Sequence, residues 1–297
     1  MSTTETKTVL KGGEFLIKES DSATIFTPEQ LNEEQRMFAQ TTADFINTRV
    51  LPNLQKIDKQ EPGLSVKLLE ETAELGLLGA SVPEEFGGMG IDVATDTAIN
   101  EEIGKGHSFA ASYAAHTGIG TLPILYFGTE EQKQTYLPGL VNGTLKAAYC
   151  LTEPGSGSDA LGAKSKAVLS EDGKYYVLNG QKMWITNGGF ADIFTVFAKI
   201  DGDKFTGFIV DAKSEGLSLG SEEDKLGIKG SSTRQVFFND VKVPAENVLG
   251  EIGKGHKGLD GKKWKGIFRR VSKLTKECLI TSLYDFELVL RMKSNAS

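Results

Sequence analysis

The residues best suited to chemistry fall into two short clusters. The first is Tyr149-Cys150-Leu151-Thr152-Glu153-Pro154-Gly155-Ser156-Gly157-Ser158-Asp159. Small side chains from Gly155 to Ser158 let backbone N–H groups approach an anion closely, as phosphate-cradling loops do. The cluster has neither the lysine of a P-loop nor the glycine spacing of a dinucleotide-binding turn. A plain tight turn accounts for the same four residues. The second cluster is Trp184-Ile185-Thr186-Asn187-Gly188-Gly189. Trp184 and Thr186 lie two positions apart, so on a strand they share one face. That pairing would set an indole against a planar ring with a hydroxyl at its edge, although a tryptophan packed into a sheet core fits the same pattern.

Other candidates carry less chemistry. Cys150 sits in an apolar stretch and reads as a small buried residue. With only Cys278 beside it, there is no disulfide framework and no thiolate metal cluster. The histidines His107, His116 and His256 lack ligand spacing, so no metal site is expected. Glu101 and Glu102 are adjacent, and on a helix they diverge by about 100° instead of forming a carboxylate pair. No nucleophile–histidine arrangement emerges.

The elements that must position these clusters divide the chain. From Pro28 to Leu140 the signals are helical. Thr27-Pro28-Glu29-Gln30 is a candidate capping box, with Thr27 as N-cap. Leu31, Phe38, Thr42, Phe45 and Ile46 then recur on one face of an amphipathic helix. A second helix runs from Leu64 to Leu75, closed by Gly76. Phe86-Gly87-Gly88-Met89-Gly90 reads as a flexible turn. Ala110 to Leu125 reads as a buried helix. Thr129-Glu130-Glu131-Gln132 opens a further helix ending near Pro138 and Gly139.

After Thr144 the texture becomes β. Val168-Leu169 and Tyr175 to Leu178 flank an Asp172-Gly173 turn. Asn179-Gly180 and Asp201-Gly202 mark further turns, with a strand from Ile193 to Ile200 between them. Phe205 to Val210 and Val236 to Phe238 continue the series. Helices followed by strands give an α+β fold: an all-helical domain, then a β-sheet or barrel-like middle domain and a short atypical tail. The expected divisions are an extension over 1–27, a helical domain over 28–147, a β-domain over 148–257 and a basic tail over 258–297.

Composition narrows the function. Across 297 residues, 33 Lys/Arg against 40 Asp/Glu gives −7, which argues against nucleic acid as a partner. Apolar residues make up 39% and no run approaches a membrane span, so membrane contact is not expected. The first residues carry no secretory or organellar signal, which points to the cytoplasm. Residues 258–297 hold nine Lys/Arg and four Asp/Glu, a local +5 that leaves −12 for the rest. Lys262, Lys263, Lys265, Arg269 and Arg270 surround Trp264 and Phe268. Such a tail suits a basic surface or partner helix, or a solvated end.

At the two clusters the sequence resembles the acyl-CoA dehydrogenases. The match runs from Tyr149 to Asp159 and through Asn179-Gly180-Gln181-Lys182-Met183-Trp184-Ile185-Thr186-Asn187-Gly188. Pro83 to Gly88, Phe127 to Lys133 and Val243 to Gly250 support it. Asp192 to Lys199 and Leu226-Gly227-Ile228-Lys229 look most like the very-long-chain branch. The resemblance covers residues 28–257.

It implies that the helical and β-domains grip FAD. By resemblance, Tyr149, Leu151 and Thr152 meet the flavin ring edge. Trp184 and Ile185 pack by the ring system, and Thr186 bonds near its reactive nitrogen. Gly157 and Ser158 lie where flavin phosphate and the acyl-CoA substrate come together. The implied reaction is α,β-dehydrogenation of a fatty acyl-CoA to a trans-2-enoyl-CoA in β-oxidation. Electrons then leave to an electron-transfer flavoprotein, and a homo-oligomer is one arrangement. The likeness stops at Lys257, and neither Glu277 nor Glu287 stands in a motif for the base. No catalytic residue is therefore assigned. The expectation is a shortened or frame-disrupted member with weak or absent turnover, since a general base contributes about 10²–10⁴-fold. The alternatives are a non-catalytic flavin or acyl-CoA-binding fragment, and an acyl-CoA oxidase of the same general fold.

Overall fold

A computed structural model of the chain describes residues 16–21 and 26–255. The basic tail, with Cys278, Glu277 and Glu287, and also His256, lies outside the described residues.

The first helix, α1 (Glu33–Phe45), begins later than Thr27-Pro28 suggests. Pro28–Gln30 forms a single 3-10 turn, and the Thr27 side chain caps nothing. Asn32 is the real cap. Its Oδ1 accepts from Gln35 N at 2.8 Å, and Gln35 Oε1 accepts from Asn32 N at 2.9 Å. Gln35 also donates across to Asp92, the N-cap of a later helix, so a tertiary contact favours the second capping sequence over the first. Thr42, Phe45 and Ile46 are buried, as the spacing requires.

A π-type turn then leads into α2 (Leu54–Asp58) and α3 (Leu64–Glu74), with Gly76 in left-handed conformation past the last turn. The 86–90 turn is ordered, not flexible. Gly88 N, Met89 N, Gly90 N and Ile91 N donate to the carbonyls of Pro83, Gly79, Val82 and Ala80, and a Cβ on Gly88 would overlap the Val82 carbonyl. Next come α4 (Val93–Gly104), α5 (Ser108–Ala114), α6 (Leu122–Phe127) and α7 (Glu130–Val141). The single helix expected over 110–125 is interrupted by a wide turn at Ala115–Gly120, where a Cβ on Gly120 would lie 2.7 Å from Ala147 Cβ. Thr129 and Gln132 form the expected capping box. The helix runs on through Pro138, which forgoes one helical N–H bond, to Val141.

The strands are β1 (Ala147–Cys150), β2 (Lys166–Leu169), β3 (Tyr175–Thr186), β4 (Ile193–Ile200), β5 (Lys204–Asp211), β6 (Leu217–Glu222), β7 (Thr233–Pro244) and β8 (Val248–Leu249). They form one mixed sheet in the order β6-β7-β3-β2-β4-β5-β8, with β1 parallel on β4. Asn179-Gly180 is not a turn. It lies within β3 at a register shift against β7, where a Gly180 Cβ would sit 2.8 Å from Ser165 Cα. The pair therefore serves a close strand approach, not a reversal. The class is α+β, as read from the sequence. One apolar cluster fills the sheet and a second fills the helical layer. A third joins Val82, Phe86 and Leu137 of the helical part to Ala147, Ile193 and Ile209 of the sheet.

Candidate functional site

The two sequence clusters lie side by side, with the end of β3 running back along β1 so that Met183 meets Thr152 and Asn187 meets Ala147. The end of β1 presents Tyr149, and Leu151 and Thr152 follow it. The end of β3 presents Trp184, Ile185 and Thr186. They meet because Met183 N donates to Thr152 O at 2.9 Å.

The local geometry of β3 departs from simple alternation. Register against β7 slips between Lys182 and Ile185, and Trp184 adopts φ +58°. A left-handed conformation at a bulky residue costs about 1–2 kcal/mol. It leaves the indole 38% exposed while Ile185 turns into the sheet core. Thr186 and Thr152 are half-buried. Because the Ile185 side chain points inward, its backbone is what faces the cluster. Tyr149 packs edge-on against Phe197 at 5.2 Å, and its hydroxyl is buried without a partner. Burial pushes that phenol above its ordinary range. Leu151 packs against the Ala163, Phe197 and Phe205 cluster.

The loop from Glu153 to Asp159 is shaped by its own hydrogen bonds. Glu153 N and Ser156 N each donate to the other residue's carbonyl, at 3.0 and 3.1 Å. Ser156 Oγ donates to Asp159 O. Gly157 and Ser158 form an exposed crest, and no atom lies within 4 Å of where a Cβ on Gly155 or Gly157 would stand. Internal packing therefore does not require these glycines, and their small size leaves room above the loop for a ligand.

Three functional features escape sequence reasoning. Lys182 and Glu153 form an ion pair of 2.7 Å with the two side chains only 0% and 6% exposed. Burial drags the ammonium down, and Glu153 partly offsets this. For Glu153 burial pushes upward, but hydrogen bonds from Lys182, Ser165 and Lys164 outweigh it and hold the carboxyl below its ordinary value. The available signal was a lysine placed directly before Met183-Trp184-Ile185 in a strand-like run. Asn187, buried at φ +64°, donates from its backbone N to Ser232 O and from Nδ2 to Ser112 O, both at 2.9 Å. It thus couples the end of β3 to α5. Finally, a cavity of about 410 Å³ lies between α4, α5 and the 226–229 segment, walled by Leu77, Leu78, Ile103, Leu122 and Ile228 among others. Gln60 Nε2 donates to Lys229 O and Gly230 N to Ser108 Oγ, which fasten that segment to the helices.

The donor set fits a flavin. Trp184 is open, Thr152 and Thr186 stay partly accessible, Gly157 and Ser158 are exposed, and the buried Tyr149 hydroxyl has no protein partner among the described residues. Among the described residues, no helix is long and apolar enough to cross a membrane.

Comparison with known proteins places the fold in a family. The model of the acyl-CoA dehydrogenase N-terminal domain matches residues 32–144, and that of the middle domain matches residues 148–241. The chain is 56% identical over 248 residues to a probable acyl-CoA dehydrogenase of Bacillus subtilis, covering 84% of this chain and 42% of that relative. It is 42% identical over 246 residues to the human mitochondrial very long-chain specific acyl-CoA dehydrogenase, covering 77% and 37% respectively. A crystal structure of an acyl-CoA dehydrogenase complexed with FAD from Bacillus anthracis matches with TM-score 0.81 and 54% identity, covering 84% of this chain and 42% of that one. The chain belongs to the acyl-CoA dehydrogenase family. It spans about two-fifths of the length of these relatives.

Proposed function

We infer that this chain holds FAD against the Thr152 and Trp184 edge and acts on a fatty acyl-CoA, in the α,β-dehydrogenation that yields a trans-2-enoyl-CoA. The carrying observation is the strained, open Trp184 held beside Thr152 by the Met183 bond. A flavin bound there supplies the hydride acceptor. The protein's own residues bind and orient. Thr152 and Thr186 offer hydroxyls to the ring edge, and Trp184 offers a face. Gly157 and Ser158 offer backbone N–H groups and a hydroxyl to phosphate and thioester. The cavity by α5, with the apolar wall of Leu77, Leu78, Ile103, Leu122 and Ile228, suits an acyl chain. Among the described residues none is offered as the base for the α-proton, and Glu277 and Glu287 lie outside them. An electron-transfer flavoprotein is the acceptor this chemistry calls for. Cys150, free and buried with its thiol pushed up by burial, suits a reducing cytoplasm.

A second reading is a chain that binds flavin or acyl-CoA without turnover. The observation favouring it is that Glu153, the carboxylate next to Thr152, is already engaged by Lys182 Nζ, Lys164 N and Ser165 N. Titrating the purified chain with FAD, followed by flavin fluorescence, tests the shared part. Saturable quenching at one equivalent is expected, and a folded chain that leaves the fluorescence unchanged overturns both readings. Anaerobic bleaching of bound flavin by a long-chain acyl-CoA then separates dehydrogenase from binding chain.

A further inference from the structure

The geometry points to the Lys182–Glu153 ion pair as the positioning element of the flavin edge. The inference rests on the flavin-site reading above and concerns how that edge is built.

Strand β3 has little ladder support where it matters most. On one side β2 pairs with it only from Tyr176 to Asn179. On the other side the β7 register lapses between Lys182 and Ile185, so Met183 and Trp184 have no partner there. The strained Trp184 therefore sits on a stretch that has no register partner in β7 and is held on the other side by the single Met183 N to Thr152 O bond. Four side-chain hydrogen bonds supplement it. Lys182 Nζ donates to Glu153 Oε1 at 2.7 Å and to Leu151 O at 3.2 Å. Glu153 accepts in turn from Lys164 N at 2.6 Å and Ser165 N at 3.1 Å. One ion pair thus ties together the end of β1, the bulge of β3 and the segment entering β2. Together with the Met183 N to Thr152 O bond it fixes Leu151 and Thr152 on one side relative to Trp184 on the other. A buried pair is a poor source of net stability, because desolvation cancels much of the attraction. Its directional bonds hold geometry, which is the role assigned to it here. Lys182 and Glu153 do not touch the ligand in this account. They are positioning residues.

The test uses the full chain and FAD itself, with variants Lys182→Met, Lys182→Arg and Glu153→Gln. Lys182→Met keeps the length of the side chain and removes its charge. Glu153→Gln keeps the shape and one acceptor oxygen. Both are expected to weaken FAD binding at least about tenfold and to alter the visible circular dichroism of bound flavin, because the edge loses its fixed frame. Lys182→Arg retains the donors and is expected to recover most of the affinity. Near-ultraviolet circular dichroism of the FAD-free variants reports whether the fold is kept. Wild-type affinity and flavin spectrum in a folded Lys182→Met or Glu153→Gln chain overturn the proposal and leave the flavin reading standing. Failure of the wild-type chain to bind FAD overturns the reading and the proposal with it. Amide exchange in the FAD-free wild-type chain needs no variant. Met183, Lys164 and Ser165 are expected to exchange as slowly as the amides of β4, and exchange at the rate of exposed turns also overturns the positioning role.

Discussion

His116 shows how a single side chain can join two parts of this molecule. It is buried at the wide turn after α5, with Nε2 3.0 Å from Leu140 O. Ala147 N donates to its Nδ1 at 3.1 Å. A backbone N–H can only donate, so Nδ1 is the bare nitrogen and the proton resides on Nε2. Burial drives its pKa from 6.5 down to about 4, assisted by Lys146 and opposed by the Leu140 bond and Asp192. The folded value lies below the unfolded one, so the stabilisation is present above about pH 6.5 and disappears as the pH falls to about 4. That difference amounts to about 3 kcal/mol. Urea unfolding of wild type and His116→Gln at pH 7 and pH 4.5 checks it. The variant is expected to be less stable at pH 7 and to have a flatter pH profile. Parallel profiles would assign the acid sensitivity to other groups. No feature of the sequence marked His116, because its role depends on a carbonyl 24 positions downstream and an amide 31 positions downstream.

At the scale of elements, caps and close approaches decide boundaries. Asn32→Ala is expected to cost about 1 kcal/mol, whereas Thr27→Ala stays within about 0.5, since only Asn32 satisfies a helix N–H. Chemical denaturation midpoints of the two variants distinguish the capping sequences directly. Equal effects would contradict the placement of the helix start at Glu33. Gly88→Ala is expected to destabilise by about 3 kcal/mol or more, because its Cβ would meet backbone, which yields less readily than a side chain. A thermal midpoint close to wild type would show that the 86–90 turn is looser than its hydrogen bonds indicate. Local patterns made most strands legible. The run from Ile193 to Ile200 coincides with β4, and Thr129 with Gln132 announces α7. Asn179-Gly180 misleads because a dipeptide suited to turns also suits a glycine pressed against a neighbouring strand. Only the position of Ser165 distinguishes the two.

Across the whole molecule, the helical and sheet parts share a core instead of merely touching. Ile209 of β5 and Ile193 of β4 pack in one cluster with Phe86, Leu137 and Val141. Asn187 and Lys146 add polar links, the latter pairing with Glu70 at 2.8 Å. A single cooperative transition is therefore expected for residues 26–255. Ile209→Ala should lower stability by about 2–5 kcal/mol and shift the far-ultraviolet helical signal and the near-ultraviolet aromatic signal together. A shift confined to one signal would show two independent units.

The sequence by itself determined the order of helices before strands and the buried faces, which follow from residue type and spacing acting over a few positions. Its two clusters carried the resemblance to the acyl-CoA dehydrogenases. Tertiary structure alone decided that Lys182 meets Glu153, that Trp184 stands open in a left-handed bulge and that the 226–229 segment walls a cavity beside α5. Each of these joins residues far apart in the chain, such as Gln60 and Lys229. Their energies depend on burial, which exists only once the sheet and the helices have packed.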